Sequence, residues 1–195
     1  MKEKVKEKAA EIIRIITIPP IEALVMLLIL YGAKREVFGN LKRLMMAVIF
    51  LSVIPICAYP MASGKRRGES DRNKQRNMAF AFNFLSYLAG MLMGYAMGCT
   101  RMLQWILNSY FLVVLILTII NKGFKIRASG HACSCTFPYL VLSYFFGNKA
   151  AVICLILYLA EFWASVTLKR HTIQEYLGGT VVACLVFAGI FPMLG

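Results

Sequence analysis

Charged residues are scarce in this chain of 195 residues. Asp, Glu, Lys and Arg together make up 16% of it, whereas soluble domains contain about 25%. Hydrophobic residues make up 59%, and the mean hydropathy is +0.68. A water-soluble core of this length cannot hide so much apolar surface, which excludes a soluble enzyme, and a disordered chain needs the opposite composition. The sequence therefore predicts an integral membrane protein.

Acidic residues and histidines are scarcer still, and the cysteines follow no known metal-binding or disulfide pattern. The chain has nine acidic residues, and its two histidines are His131 and His171. No carboxylates are clustered along the sequence to hold Mg²⁺, so neither a metal nor another cofactor is expected. The six cysteines show neither a disulfide framework nor metal-finger spacing. Cys133 and Cys135 would point to different faces of a helix, so they are not expected to share a metal.

Seven apolar runs have about the length that a transmembrane helix needs. They cover residues 13–33, 44–62, 78–99, 102–121, 132–147, 150–168 and 176–194. The predicted fold class is all-α, a polytopic transmembrane bundle of about six to seven spans. Residues 1–12 alternate Lys with Glu, which predicts an amphipathic interfacial helix rather than a cleavable signal. We therefore expect this segment to precede a single transmembrane domain, residues 13–195.

Three polar stretches, 64–77, 122–131 and 169–175, each follow an even-numbered span. They share one face of the membrane with the N-terminus, and most of the 22 Lys and Arg residues lie there. The positive-inside rule places this face in the cytosol. The net charge is +13, and we expect the basic residues to contact anionic lipid headgroups rather than nucleic acid. The oligomeric state stays open.

Both histidines lie at segment ends on the shared face. His131 ends the sequence Ala-Ser-Gly-His, and Glu175 follows His171 by one helical turn, on the same side of a helix. A carboxylate there can accept the imidazole N–H and make the other ring nitrogen more basic. Nearby cations and backbone N–H groups can hold a phosphate while one His attacks and the other protonates the leaving oxygen. The set favours phosphoryl transfer.

Three short motifs, in order over about residues 45–195, resemble the type 2 phosphatidic acid phosphatase (PAP2) superfamily. Ser129-Gly130-His131-Ala132 resembles its second motif. The run ASVTLKRHTIQEYLGG, Ala164–Gly179, is similar to its third motif, in which Ser-Arg precedes a nucleophilic His. Lys65–Arg72 is similar to its first motif, Lys-x6-Arg-Pro.

The chain departs from the family pattern at several positions. Ala128 and Asn73 stand where the second and first motifs have proline, and Glu175 stands where the third has aspartate. Ala164 and Ser165 replace the Ser and Arg of the third motif, so one phosphate-binding guanidinium is missing.

The resemblance implies a metal-independent lipid phosphatase. His171 would be the nucleophile that forms a phosphohistidine, with Glu175 orienting it. His131 would be the general acid for the leaving lipid oxygen and then the base for water. The substrate would be a membrane lipid such as phosphatidic acid, phosphatidylglycerol phosphate or a polyprenyl diphosphate. The implied phosphate-binding residues are Lys65, Arg72, Ser129, Gly130, Lys125, Arg127 and Arg170.

Other functions stay open at this point. Without an Arg at position 165, the chain could bind a lipid phosphate and not turn it over. A membrane peptidase using His131 with Cys133 or Cys135 is a weaker alternative, because it leaves His171 and Glu175 unexplained. A transporter would be favoured if Glu22 and Glu161 prove essential, since intramembrane acids are candidates for function. No role is assigned to these two acids.

Overall fold

The computed structural model describes residues 2–57, 69–124 and 126–190, and within these ranges the chain forms eight helices and no strand. The all-α prediction is confirmed. Wider π-helical turns, Ile49–Val53 and Ile119–Gly123, extend α3 and α5. The helices are α1 Lys2–Ile16, α2 Pro19–Ala33, α3 Leu41–Val48, α4 Glu69–Ala96, α5 Arg101–Thr118, α6 Gly130–Phe146, α7 Asn148–Thr167 and α8 Ile173–Ile190.

Three helices in the described ranges are long and apolar enough to cross a membrane. They are Arg101–Gly123 (α5 with its extension), α7 and α8. The pair α1 and α2 would make a fourth span, bent by 55° at a short break. α6 has only 17 residues, and the apolar part of α4, Phe80–Ala96, is also short. The chain therefore has three to four possible spans, and the count of six to seven stays a prediction.

The outward face of α7 is apolar, as contact with lipid requires. In water such a face would carry polar residues, but in a bilayer a helix can be hydrophobic all round. The acid of this helix, Glu161, lies on the inner side and is buried. The exposed apolar residues of α7 are Val152, Ile153, Leu155, Ile156, Leu157, Leu159 and Trp163.

Pro19 and Pro20 cause the break between α1 and α2. Proline has no N–H and fits the first turn of a helix, so α2 begins at Pro19 and cannot continue from α1 without interruption. α1 packs against α7, and α2 packs against α6. The break therefore places the end of α1 and the start of α2 beside the first half of α6.

α6 is the central helix, and it packs against α2, α7 and α8. Aromatic rings anchor it to α5 and α8. Tyr110 of α5 meets Phe137 edge to face with ring centroids 5.1 Å apart, and Phe187 of α8 meets Phe137 with ring centroids 6.4 Å apart. Such pairs add about 0.5–1.5 kcal/mol beyond the area they bury. This core fixes the start of α6 relative to the start of α8.

Candidate functional site

Asn121 closes the loop that leads into α6. Its Nδ2 donates to the carbonyls of Leu117, at 2.9 Å, and Ala128, at 3.1 Å. Its Oδ1 accepts from the Ala128 amide, also at 3.1 Å. One side-chain amide therefore fixes the residue before the Ser-Gly-His turn. Asn121 had no predicted role, because no spacing rule shows that its side-chain amide reaches the backbone of the residue seven positions ahead.

Ser129 caps the start of α6. Its Oγ accepts from the Ala132 amide at 3.1 Å, and the side chain is only 1% exposed. The Ser129 amide donates to the Glu175 carbonyl at 2.8 Å. In the first turn, the amides of Gly130 and His131 are left without a partner among the described residues. The structure thus gives the Ser129 side chain a capping position, and the unpaired amides belong to the next two residues.

Thr172 and Glu175 form a capping box at the start of α8. The Glu175 amide donates to Thr172 Oγ1 at 3.2 Å, and the Thr172 amide donates to Glu175 Oε2 at 3.0 Å. The same Oε2 lies 3.6 Å from Nδ1 of His171. Glu175 therefore caps the helix and faces the imidazole at the same time. Arg127, largely exposed, places Nη1 4.0 Å from Glu175 Oε1.

The chain reverses between α7 and α8 in a Schellman motif. The Arg170 amide donates to the Ser165 carbonyl at 3.1 Å, and the Lys169 amide donates to the Val166 carbonyl at 3.0 Å. Lys169 has φ of 50°, the left-handed conformation that glycine usually supplies. This turn carries Arg170 and His171 to the start of α8. Ser165, at the missing Arg position, is buried beneath the turn.

Lys169→Gly is expected to raise the free energy of unfolding by about 1 kcal/mol, since a side chain in this conformation costs about 1–2 kcal/mol. Lys169→Ala is the matched control, because it removes the same charge and keeps a Cβ. Thermal unfolding of both variants in detergent tests the comparison. A Gly variant no more stable than the Ala variant would show that the turn is unstrained.

The first turns of α6 and α8 lie side by side. Besides the bond between Ser129 and Glu175, the two helices touch at Gly179, where a Cβ would lie only 2.1 Å from the Ser129 carbonyl oxygen. Each helix N-terminus carries the equivalent of about half a positive charge. Two such termini, with the unpaired amides of Gly130 and His131 and with Arg127 beside them, form a site that suits an anion.

His131 is half-buried between this anion site and the interior. It lies within electrostatic range of His171 and of Arg14, which is at the end of α1. Both of its ring nitrogens lie 3.9 Å from Sγ of Cys135, one turn further along α6. The structure thus brings the two predicted histidines to the same end of the bundle. Arg14 was missed in the sequence, since it lies at the start of the first apolar run, 13–33, and counted only toward the positive charge of that face.

Three of the predicted phosphate-binding side chains cannot be placed. Lys65 and Lys125 lie outside the described residues, and so does the side chain of Arg72, whose backbone belongs to α4. The other members of the predicted set lie in or beside the two first turns: Ser129, Gly130, His131, Arg127, Arg170, His171 and Glu175. Comparison of the chain with protein-family models, curated proteins and solved structures found no match.

Proposed function

We propose that this chain is a membrane phosphatase that hydrolyses a lipid phosphate or diphosphate through a phosphohistidine intermediate. The proposal includes membership of the PAP2 superfamily, six to seven spans, and a site on the cytosolic side of a prokaryotic membrane. The observation that carries it is the hydrogen bond from the Ser129 amide to the Glu175 carbonyl. This bond joins the second and third motifs, which are far apart in the sequence, into one site.

The electrostatics of the joined motifs support a phosphate ligand. The N–H groups of Gly130 and His131 at the start of α6 and the parallel start of α8 favour negative charge. Arg127 lies beside them, and Arg14 lies within range of His131. Guanidinium groups bind phosphate through paired charge-assisted hydrogen bonds. No carboxylate other than Glu175 lies among the site residues, and that one faces His171 and Arg127.

The first chemical step would be attack by His171. Nδ1 faces Glu175, so Nε2 is the nitrogen that forms the bond to phosphorus while the bond from phosphorus to the lipid oxygen breaks. Burial and the charges of Arg14 and His171 lower the pKa of His131 to about 3 without a ligand, and a phosphate anion bound beside it would restore the proton. His131 then gives this proton to the leaving oxygen. Its ring edge faces Cys135 in the structure, so this step requires a side-chain rotation toward His171.

The second step would return the enzyme to its starting state. His131, now neutral, takes a proton from water as the water oxygen attacks the phosphohistidine. The bond between phosphorus and Nε2 breaks, inorganic phosphate leaves, and His171 is regenerated. Glu175 keeps the imidazole oriented and stabilises its positive charge in both steps.

A cleft below the site supports a lipid as the substrate. It lies between α6, α7 and α8, has a volume of about 210 Å³, and is lined mostly by apolar atoms. Leu140 of α6 and Leu155 of α7 lie on its walls, with Thr136 at the end nearer His131. A phosphate at the start of α6 would therefore place an acyl or prenyl chain beside an apolar surface.

Glu175→Gln is expected to lower phosphate release by about 10–100-fold, the usual cost of losing an orienting partner, without changing the unfolding temperature. Glutamine can keep the capping box with Thr172 but cannot balance an imidazolium charge. Glu175→Ala, the control, should lose both the activity and the cap. Initial rates and thermal unfolding in detergent separate the two effects. An unchanged rate in Glu175→Gln would remove Glu175 from the mechanism.

A lipid-phosphate-binding protein without turnover is the second candidate. Ser165 is the observation that favours it, because this buried residue stands where the family has a phosphate-binding Arg. One contact favours the peptidase alternative, because Nδ1 of His131 lies 3.9 Å from Sγ of Cys135. However, Cys135 is fully buried, so a peptide substrate cannot reach its sulfur.

Phosphate release from phosphatidic acid and from a polyprenyl diphosphate by detergent-purified protein, with chelator present, tests the proposal. The phosphatase account predicts release from at least one of these lipids. Binding of the lipid by folded protein without release would favour the binding protein. Neither binding nor release would overturn both functions.

A further inference from the structure

A second polar cluster lies in the interior, below His131. Tyr139 of α6 donates its hydroxyl to Glu22 of α2 at 2.5 Å and also contacts the carboxylate of Glu161 of α7. The two acids are only 8% and 2% exposed. The second oxygen of each, Oε2, is buried and has no hydrogen-bond partner in the part of the chain that the structure describes. One hydroxyl proton cannot serve two carboxylates, so the cluster needs a further proton or a positive charge.

Two carboxylates in an apolar interior need compensation. Neither Glu22 nor Glu161 forms an ion pair with a Lys or Arg among the described residues. Burying uncompensated carboxylates costs several kcal/mol, so they must share a proton or bind a cation. The nitrogen and sulfur donors of the neighbouring side chains favour the cation.

His131 and Cys135 add nitrogen and sulfur donors to the same point. They lie at positions i and i+4, on one face of α6. The donor atoms of His131, Cys135 and Glu161 all lie within 4.8 Å of one another. In a tetrahedral zinc site with bonds of about 2.0–2.3 Å, neighbouring donors are about 3.3–3.8 Å apart. A contraction of about 1 Å would close the cluster around an ion.

We propose that His131, Cys135 and Glu161 bind a thiophilic divalent cation of the zinc class, with Glu22 beside the site as a neighbouring carboxylate. The mixture of imidazole, thiolate and carboxylate selects such an ion over Mg²⁺ or Ca²⁺, which prefer oxygen alone. Binding releases the Cys135 proton and supplies the missing positive charge to both acids. The sequence marked Glu22 and Glu161 as intramembrane acids, but it could not show that they meet beside Cys135, because their helices lie far apart in the chain.

Under the proposed phosphatase function, on which this step rests, the bound ion would also affect catalysis. An ion held by His131 keeps this imidazole turned away from His171, so zinc would inhibit phosphate release and a chelator would restore it. Zinc would then control the phosphatase from beneath its site, without touching the substrate.

Cobalt titration of chelator-treated protein in detergent tests the site without any assay of activity. Co²⁺ replaces zinc in such sites, and its absorption reports a bond to thiolate. We expect one Co²⁺ per chain with a thiolate charge-transfer band. Cys135→Ser should abolish the band, and Glu161→Gln should weaken binding at least tenfold. The matched control is Cys133→Ser, since Cys133 is buried on the same helix but faces Ala183 and Cys184 of α8.

The outcomes are distinguishable from failure of the proposed function. His171→Ala should bind Co²⁺ as the wild type does, whatever its effect on phosphate release. Absence of the thiolate band in folded wild-type protein would overturn the metal site. The same band in Cys135→Ser, or its loss in Cys133→Ser alone, would also overturn it.

Discussion

Replacing His171 by Ala is expected to lower phosphate release by at least about 10³-fold, because it removes the group proposed to form the covalent intermediate. The variant should still fold. His171 is partly exposed, with its side chain 23% accessible, and it precedes the cap of α8 rather than packing in the core. Initial rates with a lipid phosphate, together with thermal unfolding, measure both expectations.

His131→Ala is the matched comparison for His171→Ala. General acid catalysis contributes about 10²–10⁴-fold, and it is needed less when the leaving group is already a weak base. An aryl phosphate should therefore restore much of the rate to His131→Ala and none to His171→Ala. Equal restoration in the two variants, or full activity of His171→Ala on lipid, would contradict the assigned roles.

Gly179→Ala is expected to disrupt the site from within the fold. The new Cβ, fixed to the α8 backbone, would lie 2.1 Å from the carbonyl oxygen of Ser129. That oxygen is held in place because it accepts from the Cys133 amide at 3.1 Å. α6 and α8 must separate there, which we expect to cost about 3 kcal/mol of unfolding free energy. The separation would also displace the Ser-Gly-His turn from His171, so phosphate release should fall more than stability alone explains.

Gly178→Ala is the control, one residue earlier on the same helix. Its Cβ would meet only Ala128, with the nearest atom at 3.7 Å, an ordinary contact. Since alanine favours helix over glycine by up to about 1 kcal/mol, this variant should be as stable as the wild type or more so. Thermal unfolding and phosphate release of the pair test the close approach. Equal behaviour of the two variants would contradict it.

The sequence predicted the local parts of the site well. His171 and Glu175 are four residues apart, and helical geometry alone places them on one side, where the structure has them 3.6 Å apart. The helical fold also follows from apolar runs with few charges. The number of spans does not follow from hydropathy. The apolar runs do not show that the chain bends by 55° at Pro19 and Pro20, or that α6 is only 17 residues long.

Long-range contacts were beyond prediction from one sequence. The bond from Ser129 to Glu175 depends on the packing of α6 against α8, which the aromatic core fixes. The meeting of Glu22 with Glu161 likewise depends on α2 and α7 lying on either side of Tyr139. The left-handed Lys169 gave no signal either, because glycine is the residue that marks such a turn.

Trapping of the covalent intermediate tests the central claim most directly. Protein mixed with a lipid carrying a labelled phosphate would be denatured in alkali, in which phosphohistidine is stable, and then digested. The account predicts transient label on the peptide that contains His171, stable in alkali and lost in acid. It also predicts that no label forms in His171→Ala. Phosphate release that proceeds without label on this peptide at any time, or with label on another residue, would contradict the account.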